Sequence, residues 1–75
     1  MFVFVDTGAW FAFFVQRDVN HKAAQKWMNK NRQLLLTTDY ILDELLTLLL
    51  VRENVKIALT AGKILWAENE KIHIE

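Results

Sequence analysis

The sequence predicts an α/β domain built around a parallel sheet. Phe2 to Val5 and Gln33 to Thr37 are short, continuous, β-favouring apolar runs, the pattern of strands buried on both faces. Lys71 to Glu75 alternates, with Ile72 and Ile74 on one side, as a third strand would. The stretches between these runs carry apolar residues at helical spacing. The resulting order is β-α-α-β-α-α-β, which indicates helices crossing over between parallel strands.

Each element has a local reason. The first strand stops at Asp6-Thr7-Gly8, where Thr7 can cap the helix that follows. That helix, Ala9 to about Gln16, is apolar nearly all round through Trp10, Phe11, Phe13, Phe14 and Val15. Asn20 can cap a second helix, roughly His21 to Asn31, with Ala24, Trp27 and Met28 on one face and Lys22, Lys26 and Lys30 on another. After the second strand, Asp39 caps a third helix that runs to about Arg52. Asn54 opens a fourth, with Val55, Ala58, Leu59, Gly62 and Trp66 at helical spacing.

The totals narrow the class. Seventy-five residues make at most one small domain, residues 1–75, and a chain this short buries only roughly 60–65 % of its unfolded surface. Yet 53 % of the residues are hydrophobic and 12 % aromatic, more apolar material than so small a globule easily hides. More chain or another subunit is expected to cover it. There is no cysteine, hence no disulfide and no thiolate metal site. Nine basic and nine acidic residues cancel, so bulk charge gives no sign of a generic nucleic-acid clamp. No basic stretch precedes the first apolar run, so no signal peptide is visible. Gly8 to Val15 and Leu45 to Val51 fall far short of the ~20 residues of a membrane span. The expectation is a soluble cytoplasmic protein.

Two carboxylates stand out. Asp6 follows a strand and precedes a helix, and ligands in open α/β sheets gather at the carboxyl ends of strands. The plainer reading makes it a helix cap. Glu44 shares a side of its helix with Ile41 and Leu48, and a buried carboxylate there would need a partner. The plainer reading places it at the rim of the apolar stripe, reaching to water. Together, at one sheet edge, the two could hold a hard, oxygen-loving cation such as Mg²⁺ or Mn²⁺. His21, His73 and the lysine stripe read as capping or solvated residues, and Trp10, Trp27 and Trp66 as core or interface aromatics.

Three blocks in order resemble one family. Phe2-Val3-Phe4-Val5-Asp6-Thr7-Gly8-Ala9-Trp10 resembles the opening of PIN domains, an apolar strand followed by an Asp and a hydroxyl residue. Arg17-Asp18-Val19-Asn20-His21-Lys22-Ala23-Ala24 resembles the entry to their second helix, and Leu36 to Leu45 the second strand and the helix bearing their second acid. The closest subgroup is the VapC-type toxins of toxin–antitoxin pairs. The resemblance implies a PIN-like three-layer fold, here truncated after the third strand as a single partial domain. It implies a Mg²⁺- or Mn²⁺-dependent ribonuclease with Asp6, Glu44 and Thr7 as catalytic residues, Asp6 and Glu44 being the metal ligands. RNA is then the substrate of the whole domain and an antitoxin protein a partner. The family's remaining acids lie beyond the third strand, and Glu68, Glu70 and Glu75 do not match them. In the implied strand order the first strand is central, with a fourth on its far side, so the chain is expected to bind metal weakly, to cut RNA poorly alone and to self-associate. The competing reading is an inactive PIN remnant that pairs with itself or with a partner.

Overall fold

The computed structural model describes residues 2–67 and 70–75 of the chain. It holds β1 (Phe2–Phe4), α1 (Thr7–Phe14), α2 (His21–Lys30), β2 (Leu34–Thr37), α3 (Asp39–Arg52), α4 (Val55–Trp66) and β3 (Ile72–Ile74). This is the expected α/β, PIN-like order. Glu68 lies outside the described residues.

The three strands form one parallel sheet in the order β1-β2-β3. Val3 aligns with Leu35, which aligns in turn with Ile72. Both crossovers step across the sheet in the same direction, and right-handed crossovers of that kind place their helices on one face. Burial follows this rule. Val5, Leu35 and Thr37 are buried, with Ile72 and Ile74 packed against the same core. Phe2 and Phe4, pointing the other way, are 58 % and 55 % exposed, and Leu34 and His73 beside them are exposed too. The expectation that β1 is buried on both faces is therefore corrected for the described residues. A run of four apolar residues does not show whether a second layer is present.

The core lies between the sheet and the helices. Leu42, Leu45 and Leu49 of α3 are fully buried and pack with Ala58, Ala61 and Leu65 of α4. Of the expected apolar face of α4, Ala58 is buried, whereas Val55, Leu59 and Trp66 are 60 %, 60 % and 44 % exposed, so that part of the expectation is corrected. Small residues at the contact let two helices approach closely, so Ala58 and Ala61 face α3 beside Leu65, while Val55, Leu59 and Trp66 turn away. Trp10 of α1 is 1 % exposed, and its indole N–H donates to the Thr37 hydroxyl at 3.3 Å, which satisfies both buried polar groups.

Two caps fall one residue from their expected places. Asp6, not Thr7, caps α1, accepting from the Ala9 N–H at 3.0 Å. Thr38, not Asp39, caps α3, accepting from the Ile41 N–H at 3.1 Å, while Asp39 adds a favourable acid to the first turn. Asn54 caps α4 as expected, through Ile57 N–H at 2.9 Å. Asn20 precedes α2 without a side-chain cap bond. His21 instead donates from Nδ1 to the carbonyl of Ala12, 2.8 Å away, and so closes the end of α1.

A clamp with no local sequence signal ties the loop after α1 to the end of α3. Arg17 Nε lies 3.1 Å from both Glu53 carboxylate oxygens, its Nη2 also pairs with Glu53, and Nη2 donates to the Arg52 carbonyl at 3.2 Å. The guanidinium thus satisfies an end carbonyl of α3 and offsets an acid placed at the unfavourable end of a helix. The hydrogen bond from Arg17 holds Glu53 below the usual carboxylate range, against the opposing effect of desolvation. A depressed carboxylate stabilises the fold above its unfolded pKa of about 4.3 and loses that contribution as pH falls through the folded value. Thermal melts should therefore show wild type above Glu53→Gln at pH 7, with the gap closing under acid. A gap independent of pH would mean that the charge contributes nothing.

Candidate active site

The carboxyl ends of the strands and the starts of the helices after them meet at one edge of the sheet. Asp6 leaves β1 there, and its placement follows from the capping bond: Oδ1 is held by the Ala9 N–H, while the Trp10 N–H donates to the Asp6 carbonyl at 3.2 Å. That bond leaves Oδ2 with no hydrogen bond among the described residues. The capping reading of Asp6 and the ligand reading are thus compatible, because one carboxylate serves both.

Thr7 opens α1 and is half-buried. Its hydroxyl donates to Glu44 Oε1, joining residues 37 apart in sequence. This bond sets the second-turn acid of α3 against the first turn of α1, beside Asp6. Glu44 itself is exposed, so the expectation of a buried carboxylate in need of a cation is corrected. The buried stripe of α3 runs through Ile41, Leu42, Leu45 and Leu49, and Glu44 sits at its margin. The sequence-predicted trio is therefore brought together by one contact and one chain neighbour: Thr7 touches Glu44, and Asp6 adjoins Thr7.

The trio offers oxygen only, the donor chemistry of Mg²⁺ and Mn²⁺. Among the described residues, no group of three or more His, Asp and Glu side chains stands close enough to hold a metal ion. The donor atoms are thus of the kind a hard cation takes. Asp39 and Asp43 on α3 are exposed nearby in sequence, and Asp43 offers its backbone carbonyl to the Thr47 hydroxyl at 3.0 Å. Glu75, not expected in the acid cluster, comes close to the start of α3 through its backbone: its carbonyl accepts from the Asp39 N–H at 3.3 Å, and its N–H donates to the Thr37 carbonyl at 2.9 Å. Its side chain stands 3.6 Å from His73 Nε2. Sequence could not reveal this approach, because it depends on the register of β3.

Beside Asp6 a groove of about 310 Å³ runs along β1, lined by Val3, Phe4, Ala24, Trp27 and Met28 among others. Its walls are apolar apart from the Asp6 end. No helix among the described residues is long and apolar enough to cross a membrane.

Comparison with known proteins bears on the family and the fold. The family model described as the PIN domain matches residues 3–74. Among solved structures, the chain is similar to VapC20 of Mycobacterium tuberculosis, described as a sarcin-ricin loop cleaving toxin. The TM-score is 0.87 at 27 % identity, over 100 % of this chain and 55 % of that one. The chain therefore spans about half the length of that toxin. No curated protein sequence matches it.

Proposed function

The chain belongs to the PIN domain family, and from that premise we propose that it forms the first part of a metal-dependent ribonuclease of the VapC toxin type. Asp6 and Glu44 would hold Mg²⁺ or Mn²⁺, and Thr7 would fix Glu44. The observation that carries this reading is the Thr7–Glu44 hydrogen bond, which ties the acid of α3 to the turn that bears Asp6. A residue that orients a ligand limits the entropy lost when the ligand engages. A bound divalent cation would polarise the phosphate and lower the pKa of an attacking water. The chain's own contribution is to present two carboxylates in fixed positions at an open sheet edge. Two ligands seldom fix a cation's geometry, so cleavage by this chain alone should be low. RNA is the substrate class, an antitoxin protein a partner, self-association an expected state and the cytoplasm the compartment.

Mn²⁺ titration followed by paramagnetic relaxation of water tests the reading. Weak binding is expected in wild type, lost in Glu44→Gln, reduced in Thr7→Val and unchanged in the Asp43→Asn control. Equal binding in wild type and Glu44→Gln would end the shared-site idea. A second reading, a non-catalytic PIN remnant that binds other chains, is favoured by one observation: the open apolar face formed by Phe2, Phe4 and Leu34.

A further inference from the structure

A second cavity, of about 390 Å³, lies at the amino-terminal end of the strands, away from the carboxyl ends where Asp6 and Glu44 meet. It sits on the face of the sheet that the described helices cover, and α1, α2, α4, β2 and β3 each supply part of its wall. Phe13, Met28, Ile64 and Ile72 give it an apolar lining. Arg32 and Lys71 also line it, both exposed, and none of the described lining residues is acidic.

Local bonds fix where the two cations start. The Asn31 side-chain amide donates to the Gln33 carbonyl at 2.7 Å, and its oxygen accepts from the Gln33 N–H at 3.3 Å, so Arg32 lies in a pinned loop. Lys71 gives its carbonyl to the Leu35 N–H at 2.8 Å, and the pairing of Leu35 with Ile72 sets Lys71 beside Leu34 on the neighbouring strand. Neighbouring strands lie only about 4.8 Å apart, so two long cationic side chains start within reach of one anion. Arg32 forms no hydrogen bond or ion pair among the described residues. Small-molecule sites have this make-up, a concave apolar lining with a few polar groups that fix orientation.

We propose that this cavity binds a small organic anion, with its apolar body against Phe13, Ile64 and Ile72 and its carboxylate or phosphate on Arg32. A guanidinium matches either group with two parallel hydrogen bonds, and Lys71 adds a second positive charge. The volume, at the small end of the range for ligand pockets, suits one aromatic ring with a short chain. The site goes beyond the nuclease reading and does not depend on it.

Titration with 4-phenylbutyrate, followed by methyl NMR, tests the assignment. The Ile64 and Ile72 signals should shift with a Kd of about 1 mM or tighter, while those of Val19 and Val55, exposed elsewhere, stay in place. Arg32→Gln should weaken this binding at least about tenfold, the usual effect of losing a charged hydrogen bond, and leave binding of the uncharged 4-phenylbutanol unchanged. Inorganic phosphate at the same concentration should not displace 4-phenylbutyrate, because it has no apolar body. Ile64→Trp fills the cavity from a part-exposed position on α4 and should abolish binding of both probes, with circular dichroism confirming the fold. The exposed Arg32→Gln decides the matter if that variant does not fold. No shift up to about 10 mM, equal shifts at Val19 and Val55, displacement by inorganic phosphate, or an Arg32→Gln affinity equal to wild type would each overturn the proposal.

Discussion

Trp10→Ala is expected to lower the unfolding free energy by about 3–5 kcal/mol, the usual cost of removing a buried aromatic side chain. Trp10 is almost fully buried and stacks on Phe14, with ring centroids 6.3 Å apart. Its loss would leave a cavity in a core too small to close around it, and it would strand the buried Thr37 hydroxyl without its indole donor. Domains have only roughly 0.05–0.15 kcal/mol of stability per residue, so the variant should be largely unfolded at ambient temperature. Urea titration followed by circular dichroism measures the loss. The paired variant Trp10→Ala with Thr37→Val should recover part of it, because both polar partners are then gone. If the double variant is no better than the single, the hydrogen bond is irrelevant and packing accounts for the whole effect.

The second large effect separates the two roles of Asp6. Asp6→Asn keeps an oxygen to accept the Ala9 N–H, because asparagine caps helices as well as aspartate does. It removes the negative charge that a cation needs. Asp6→Ala removes both the cap and the charge. Melting should therefore place Asp6→Asn close to wild type and Asp6→Ala about 1 kcal/mol lower. Mn²⁺ binding should fall in both by at least the ~10–100-fold that loss of an outer-shell partner costs a metal site. If Asp6→Asn bound Mn²⁺ like wild type, Asp6 would be a cap and nothing more.

The same residue shows what can be read from a sequence and what cannot. Strand–helix order was legible because period-2 and period-3.6 patterns are local, and all seven elements appear where those patterns lie. The caps of α1 and α3 slipped by one residue because Asp6-Thr7 and Thr38-Asp39 each offer two competent side chains in succession. Backbone angles decide between them, with Asp6 at ψ 176° and Thr38 at ψ 159°, both extended as a capping residue must be. Of the two readings of Glu44, the structure favours the rim of the stripe over its centre, although Ile41 and Leu48 suggest a stripe centred near it. The fully buried Leu42, Leu45 and Leu49 move that centre away. The inner face of α4 was read only in part, since Ala58 lies on it but Ala61 and Leu65, not Val55, Leu59 and Trp66, complete it. The Arg17–Glu53 clamp and the Thr7–Glu44 bond join residues 36 and 37 apart, and no local pattern encodes either.

The strand order has a consequence for how the chain assembles. Each strand lies beside the one that precedes it in sequence, with Phe2 opposite Leu34 and Leu35 opposite Ile72. Nothing described has to be inserted between strands already in place. A chain emerging from the ribosome can lay β2 on β1 once α2 has cleared the exit, and β3 on β2 later, without undoing an earlier pairing. Each such addition is one strand–helix–helix–strand unit whose paired residues, such as Phe2 with Leu34, lie far apart in sequence, a non-local closure of the kind that slows folding. Among the described residues, successive strands are added from β1 toward β3. The side of β1 away from β2 takes no part in either of these pairings, so both described additions leave it untouched.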